Sequence, residues 1–233
     1  MTFTAKARSR KKILNAVLLL TLLLCTSIAS SQTSYDSLYL KNPVYKNLTA
    51  LYDLSKIQSA DIVFLGNSIT FGGNWMELLG RDRVVNRGIG SDNIPGMLRR
   101  LHQVTRLNPK LCFVMAGIND LYQDVPVDTV FNRYVQLIDS LCAHNIVPVI
   151  QSTLHVNPKW KRAEIKNPDV AKLNTRLQTY AREQSIIFLD LNVVLSEQGV
   201  LKNIYTTDGV HLTAGAYQVW RDLVDPVLQQ HGL

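Results

Sequence analysis

Five short runs dense in valine, isoleucine, leucine and phenylalanine, spaced along the chain with helix-length segments among them, constrain the fold more than any other feature. The runs span Asp61 to Leu65, Arg83 to Asn86, Leu111 to Ala116, Ile146 to Gln151 and Ile186 to Leu189. Segments of helical period cover Pro43 to Gln58, Asn93 to Arg106, Asp128 to Ala143, Asp169 to Glu183 and Ala214 to Gln230. Strands this short, without a polar face, are buried on both sides, and parallel strands need a long crossover between them. The alternation therefore predicts a five-stranded parallel sheet with helices on both faces. Asp128 and Asp169 are acids suited to the first turn of their helices, where the dipole is positive.

Composition fits one ordinary globular domain, with 46% hydrophobic and 18% charged residues in 233. The formal charge of +7 is concentrated at the start, where Lys6, Arg8, Arg10, Lys11 and Lys12 have no acid among them. The rest of the chain is close to neutral and has no basic stripe with interleaved aromatics, which argues against nucleic acid as a partner. The five cations precede the apolar run Ile13 to Leu24 and the small residues of Ser27-Ile28-Ala29, the order of a secretory signal. That run is shorter than the roughly 20 residues a spanning helix needs. The expected organisation is a signal peptide over 1–30, a segment over 31–60 whose helix packs on the domain, and the main domain over 61–233, exported to a periplasmic or extracellular location without a membrane span after cleavage. Leu24 before Cys25 argues against lipidation. Cys112 and Cys142 either pair or stay as thiols, and no Cys-x-x-Cys or His-Glu-x-x-His spacing points to a metal.

In an open parallel sheet, ligands bind beyond the carboxyl ends of the strands. The loops there are Gly66-Asn67-Ser68, Arg87-Gly88-Ile89-Gly90-Ser91-Asp92, Gly117-Ile118-Asn119-Asp120 and Ser152-Thr153-Leu154-His155. Turns recruit such residues anyway, so no single loop is decisive. Gly88-Ile89-Gly90 is only a fragment of a dinucleotide turn, since Asn93 holds the third glycine position and the loop follows the second strand. No phosphate-cradling loop with Lys-Ser/Thr occurs.

A serine hydroxyl is a poor nucleophile until an imidazole takes its proton and a carboxylate orients that imidazole. Ser68 follows the first strand, and Asp208-Gly209-Val210-His211 near the far end places a carboxylate and an imidazole on one tight turn. His102 and His144 lie in helical segments, His231 in the tail, and His155 lacks an acid three residues before it.

The serine loop, the Gly/Ser loop, Gly117-x-Asn119-Asp120 and Asp208-x-x-His211, in that order, resemble the SGNH or GDSL-like hydrolase family from about Asp61 to Trp220. The resemblance implies a three-layer α/β/α, flavodoxin-like fold and a carboxylic ester hydrolase that needs no metal or organic cofactor. It implies Ser68 as nucleophile, His211 as base and Asp208 as the acid, with an oxyanion hole from the Ser68 and Ser91 N–H groups and the Asn119 amide. Ser91, just after Gly90, stands where the family has glycine, and Asn67 stands where it has aspartate. Asp120 is expected to hold loop backbone and Asn119, and Asp92, Asn86 and Arg87 to brace the second loop.

Trp75, Tyr122, His155 and Trp160 are possible pocket walls, since aromatics stack on sugars but also cover cores. The stretch Gly66 to Trp75 is most similar to bacterial esterases near platelet-activating-factor acetylhydrolase and sialate O-acetylesterase, so removal of an acetyl group from a glycan or small-molecule ester is the leading expectation. The alternatives are a lysophospholipase or thioesterase using the same residues, and a non-catalytic glycan-binding protein on the same fold. The oligomeric state is left open.

Overall fold

The computed structural model describes residues 35–233; the signal segment expected over 1–30 lies outside the described residues. The chain divides into Met1–Leu38 and Tyr39–Leu233, and the second unit holds every element below. Its first α-helix is α1 (Tyr45–Asp53), within the helix expected over Pro43 to Gln58.

Strands β1 (Ile62–Gly66), β2 (Val84–Gly88), β3 (Leu111–Met115), β4 (Val147–Gln151) and β5 (Ile187–Leu189) form one parallel sheet in the order β2-β1-β3-β4-β5. This is the doubly wound order in which the chain starts at the second position, steps to one edge and then crosses back, leaving a crevice between the β1 and β3 loops. Val63 lies beside Val85 on one side and Cys112 on the other, and Gly66 beside Gly88 and Met115, so the three leading loops leave the sheet at the same level.

The side-chain period of two builds two cores from one set of strands. Val63, Leu65, Val85, Cys112, Val114 and Ile150 face one side, against Val130, Tyr134, Leu137 and Leu141 of α7 (Val127–Cys142) and Val170, Leu173 and Leu177 of α8 (Ala163–Glu183). Ile62, Phe64, Leu111, Phe113, Met115 and Val149 face the other. There they meet Trp75 of α3 (Trp75–Leu79) and Trp220, Val224 and Leu228 of α10 (Ala214–Gln230). Three layers result, as expected.

Trp75, read from the sequence as a possible pocket wall, is a core residue. It is 1% exposed, stacks on Phe64 at 3.9 Å between ring centroids, and meets Trp220 edge-on. Its indole N–H is satisfied by the Thr70 carbonyl at 2.9 Å. A large aromatic with a paired donor gains most from full burial.

Other differences are local. The helix expected over Asn93 to Arg106 is two, α4 (Ile94–Arg99) and α5 (His102–Thr105), with bonds from Leu101 N–H to Leu98 and from Gln103 N–H to Arg100 tightening the joint. Asp169 is no first-turn acid, because α8 begins at Ala163; it lies 3.7 Å from Lys166, and Glu164 holds the early position. Short helices α2 (Ser68–Phe71), α6 (Ile118–Tyr122) and α9 (Asn192–Leu195) and the hairpin β6 (Ser196–Glu197) and β7 (Val200–Leu201) fill segments for which the sequence pattern predicts no helix or strand. Cys112, buried in β3, and Cys142, exposed at the end of α7, are free thiols. Among the described residues no helix is long and apolar enough to cross a membrane.

Candidate active site

Ser68 is the first residue of α2, at the carboxyl end of β1, which pairs with β2 on one side and β3 on the other. Asn67 makes that placement possible. In extended backbone conformation and 1% exposed, it accepts the Ile69 N–H on its side-chain oxygen at 2.9 Å, an N-cap that turns strand into helix within one residue. Asparagine performs this capping without the charge that aspartate would carry.

The turn also needs a gap beside it, which Gly88 provides. A Cβ there would fall 2.2 Å from the Phe71 nitrogen and 2.6 Å from its Cα, inside the backbone of α2. Overpacking that backbone costs about 1–3 kcal/mol. Gly88→Ala is expected to lower stability by that amount in denaturant unfolding and to reduce ester hydrolysis by displacing α2.

The distant partners come from the loop before α10. Asp208 accepts the Val210 and His211 N–H groups on one carboxylate oxygen, both at 2.8 Å, and the His211 ring Nδ1 lies 2.5 Å from the other. Thr206 closes the turn, donating its hydroxyl to the His211 carbonyl at 2.7 Å and accepting the Gly209 N–H at 2.9 Å. Gly209 has φ of 103°, and a Cβ on it would meet the Trp160 nitrogen at 2.6 Å. Asn157 donates its N–H to the Gly209 carbonyl at 2.8 Å, and Tyr217 of α10 donates its hydroxyl to the Ile69 carbonyl at 2.6 Å. These ties bring the turn to the serine. His211 Nε2 lies 3.0 Å from Ser68 Oγ, across 143 positions of sequence.

The direction of each bond follows from the chemistry. Burial raises the Asp208 carboxyl, but hydrogen bonds from the His211 ring and the two N–H groups outweigh it and hold the acid at about 2, so it is ionised near neutrality. An ionised carboxylate only accepts, so Nδ1 carries the proton and Nε2 presents a lone pair to the Ser68 hydroxyl. The arrangement can remove the serine proton as the oxygen attacks an electrophile. Both partners are open to solvent, His211 with 48% and Asp208 with 40% of the side chain exposed.

The loops that leave β1, β2 and β3 at this level hold candidate donors for a developing oxyanion. As the first residue of a helix, Ser68 has an N–H with no intrahelical acceptor. Ser91 adopts φ of 56°, the left-handed region that glycine enters freely, which is how serine stands at a glycine position. Among the described residues nothing accepts the Ser91 N–H. Asn119 donates one amide hydrogen to the Asp92 carbonyl at 2.7 Å and keeps the second.

Buried polar groups lock these loops together. Asp120 accepts the Ile94 N–H at 3.0 Å, tying the third loop to α4. Asp92 pairs with Arg100 at 2.8 Å, both side chains fully buried, and Arg100 reaches the Gly66 carbonyl at 3.1 Å. Burial pushes the Asp92 carboxyl up to about 6 against the pull of Arg100. Asn86 donates to the Thr70, Phe71 and Gly73 carbonyls, fastening the end of α2. Arg87 lies over the Tyr52 ring, 4.7 Å from its centroid.

The remaining expected pocket residues each make structural contacts. His155 Nδ1 lies 3.1 Å from the Ser196 hydroxyl, the His155 N–H donates to Asn192, and burial lowers the imidazole pKa. Tyr122 donates its hydroxyl to the Lys161 carbonyl at 3.0 Å. Trp160 supports the turn that holds Asp208 and His211, through its contact with Gly209. Thr206 and Tyr217 organise that turn and give little sequence signal, one being a single hydroxyl in a loop and the other one position of an amphipathic helix. Among the described residues no group of three His, Cys, Asp or Glu side chains is arranged to hold a metal ion.

Comparison with known proteins places this geometry. The model of the GDSL-like Lipase/Acylhydrolase family matches residues 64–219. A GDSL-like lipase from Bacteroides thetaiotaomicron superposes with a TM-score of 0.70 at 25% identity, covering 80% of this chain and 98% of that one. A Streptococcus pneumonia protein provisionally described as platelet activating factor superposes with a TM-score of 0.67 at 25% identity, covering 91% and 99%. Among curated proteins, the N-acylneuraminate cytidylyltransferase of Streptococcus agalactiae serotype III is 28% identical over 159 residues, 68% of this chain. This chain spans about a third of the length of the curated relatives it matches, 36% in that case.

Proposed function

From the premise that this chain belongs to the GDSL-like lipase/acylhydrolase family and is an ester-cleaving acylhydrolase, we propose that it removes short acyl groups, acetyl first among them, from a carbohydrate or related small ester through an acyl-enzyme on Ser68. The observation that carries the reading is the 3.0 Å approach of His211 Nε2 to Ser68 Oγ, with Nδ1 of the same ring on an ionised Asp208. A scaffold without catalysis has no use for that alignment, which disfavours a purely glycan-binding role.

Ser68 Oγ attacks the ester carbonyl as its proton passes to His211 Nε2. The carbonyl electrons move onto oxygen, where the Ser68 and Ser91 N–H groups and the Asn119 amide receive the charge. Collapse expels the alkoxide, which takes the proton from His211 and leaves as the alcohol. Water then attacks the acyl-serine, giving its proton to His211, and the acid departs as Ser68 Oγ recovers that proton.

Two observations favour a small, hydrophilic substrate. The His211 and Asp208 side chains stand open to solvent, 48% and 40% exposed. The curated relatives are named for N-acylneuraminate, an acylated sugar acid, and their cytidylyltransferase activity is not proposed for this chain. The basic cluster before Ile13 to Leu24 supports export and action outside the cytoplasm.

A chain-length series of p-nitrophenyl esters tests the acyl preference, with acetate release from an O-acetylated sugar as the companion measurement. The expected kcat/KM is highest for acetate and falls steadily toward octanoate, and the sugar is deacetylated. A maximum at octanoate or longer would replace this reading with a lysophospholipase or thioesterase.

A further inference from the structure

Residues ahead of the family-matched region fasten the second loop and the helix that follows it by side-chain hydrogen bonds to the carbonyls of Gly88 and Gly90 in the loop and Gly96 in α4. Tyr52 donates its hydroxyl to Gly88 at 2.5 Å, Asn42 its amide to Gly90 at 2.6 Å, and Tyr45 its hydroxyl to Gly96 at 2.7 Å. A peptide unit is planar and trans, so holding a carbonyl fixes the direction of the following N–H. After Gly88 comes the Ile89 N–H, which donates to Gly66 at 3.1 Å; after Gly96 comes the Met97 N–H, which donates to Asn93 at 3.0 Å. After Gly90 comes the Ser91 N–H, which no described residue accepts. Of the three peptide units held in this way, only the one held by Asn42 offers its hydrogen outward.

Asn42 is itself rigidly placed. Its side-chain oxygen accepts the Val44 N–H at 3.1 Å, its own N–H donates to Tyr39 at 3.0 Å, and its carbonyl accepts the Tyr45 N–H at 3.2 Å. With the oxygen committed to Val44, the amide nitrogen is left to Gly90. Donation to a carbonyl also polarises the amide it belongs to, strengthening the N–H at its other end.

We infer that Asn42 is a positioning residue for the oxyanion hole, orienting the Gly90–Ser91 peptide so that the Ser91 N–H faces the developing charge. The inference rests on the proposed reaction at Ser68 and extends the site to a segment outside the family-matched residues. It also gives the serine at position 91 a support that its left-handed backbone requires, because the peptide on its N-terminal side is anchored from outside the loop.

The test uses the full chain and p-nitrophenyl acetate, with Asn42→Asp, Asn42→Ala, Tyr52→Phe and Ser68→Ala measured together. Aspartate keeps the shape and the acceptor for Val44 while replacing the donor with an anionic oxygen, and alanine removes the donor without adding charge. Misplacing one oxyanion donor is expected to lower kcat and kcat/KM together, by about tenfold to a hundredfold, in both Asn42 variants, with KM within about threefold. Tyr52→Phe removes a bond of the same kind from a peptide whose N–H is already taken, and its kcat is expected to stay within about threefold. A smaller fall in both folded Asn42 variants, a loss confined to KM, or an equal loss in Tyr52→Phe would overturn the inference while leaving the reaction intact. Full activity in Ser68→Ala would overturn the reaction reading itself.

Discussion

Ser68→Ala is expected to leave no more than about a thousandth of the esterase kcat, because removing a triad member typically costs a thousandfold or more. Among the described residues the Ser68 hydroxyl is the hydrogen-bond partner of His211 Nε2, so the variant retains a base without its proton donor. Whatever rate persists belongs to water attacking an ester whose oxyanion the remaining donors stabilise. Stability should change little, since Ser68 is half-exposed and its backbone, capped by Asn67, is unaffected by losing the oxygen. Steady-state hydrolysis of p-nitrophenyl acetate, with circular dichroism to verify folding, reads both quantities.

Asn119→Ala is the second large effect. Loss of one preorganised donor typically costs 10²–10³ in kcat, about 2.7–4 kcal/mol of transition-state stabilisation. The same substitution breaks the 2.7 Å bond to the Asp92 carbonyl, so a stability loss of about 1 kcal/mol accompanies it. The two consequences separate in the kinetics. A purely structural Asn119 would cost stability and leave kcat within a few-fold, whereas an oxyanion donor lowers kcat and kcat/KM together with KM nearly unchanged. Asp120 next to it is fully buried and bonded to the Ile94 N–H, and it cannot substitute for the lost amide.

The parts of this molecule legible in the sequence are those with a local cause. Ile62 to Gly66 and Leu111 to Met115 are apolar on both faces because helices cover both sides, and a continuous apolar run states that directly. The Asp208 and His211 pairing was equally readable, since a three-residue spacing and a glycine between them suffice for one turn. What the sequence hid depends on partners distant in the chain. Trp75 reads the same whether it lines a pocket or stacks between Phe64 and Trp220, and only the layer of α10 above it decides. The helix expected from Asp169 starts instead at Ala163 and runs through Pro168, and Leu173 and Leu177 bury it against the sheet. The four residues of α2 are too few for any periodic signal, and their helix exists through the Asn67 cap and the space at Gly88. The role of Asn42 has no local signal, because its bond to Gly90 spans 48 positions.

The central claim is that one serine hydroxyl is activated by one imidazole, and covalent trapping measures it most directly. The full chain and its His211→Ala variant are treated with a fluorophosphonate at neutral pH, digested, and the modified peptide identified by mass spectrometry. The expected result is a single adduct on Ser68 in the parent, formed far more slowly in His211→Ala. An adduct on another residue with Ser68 unmodified, or equal labelling of Ser68 in both proteins, would contradict the account.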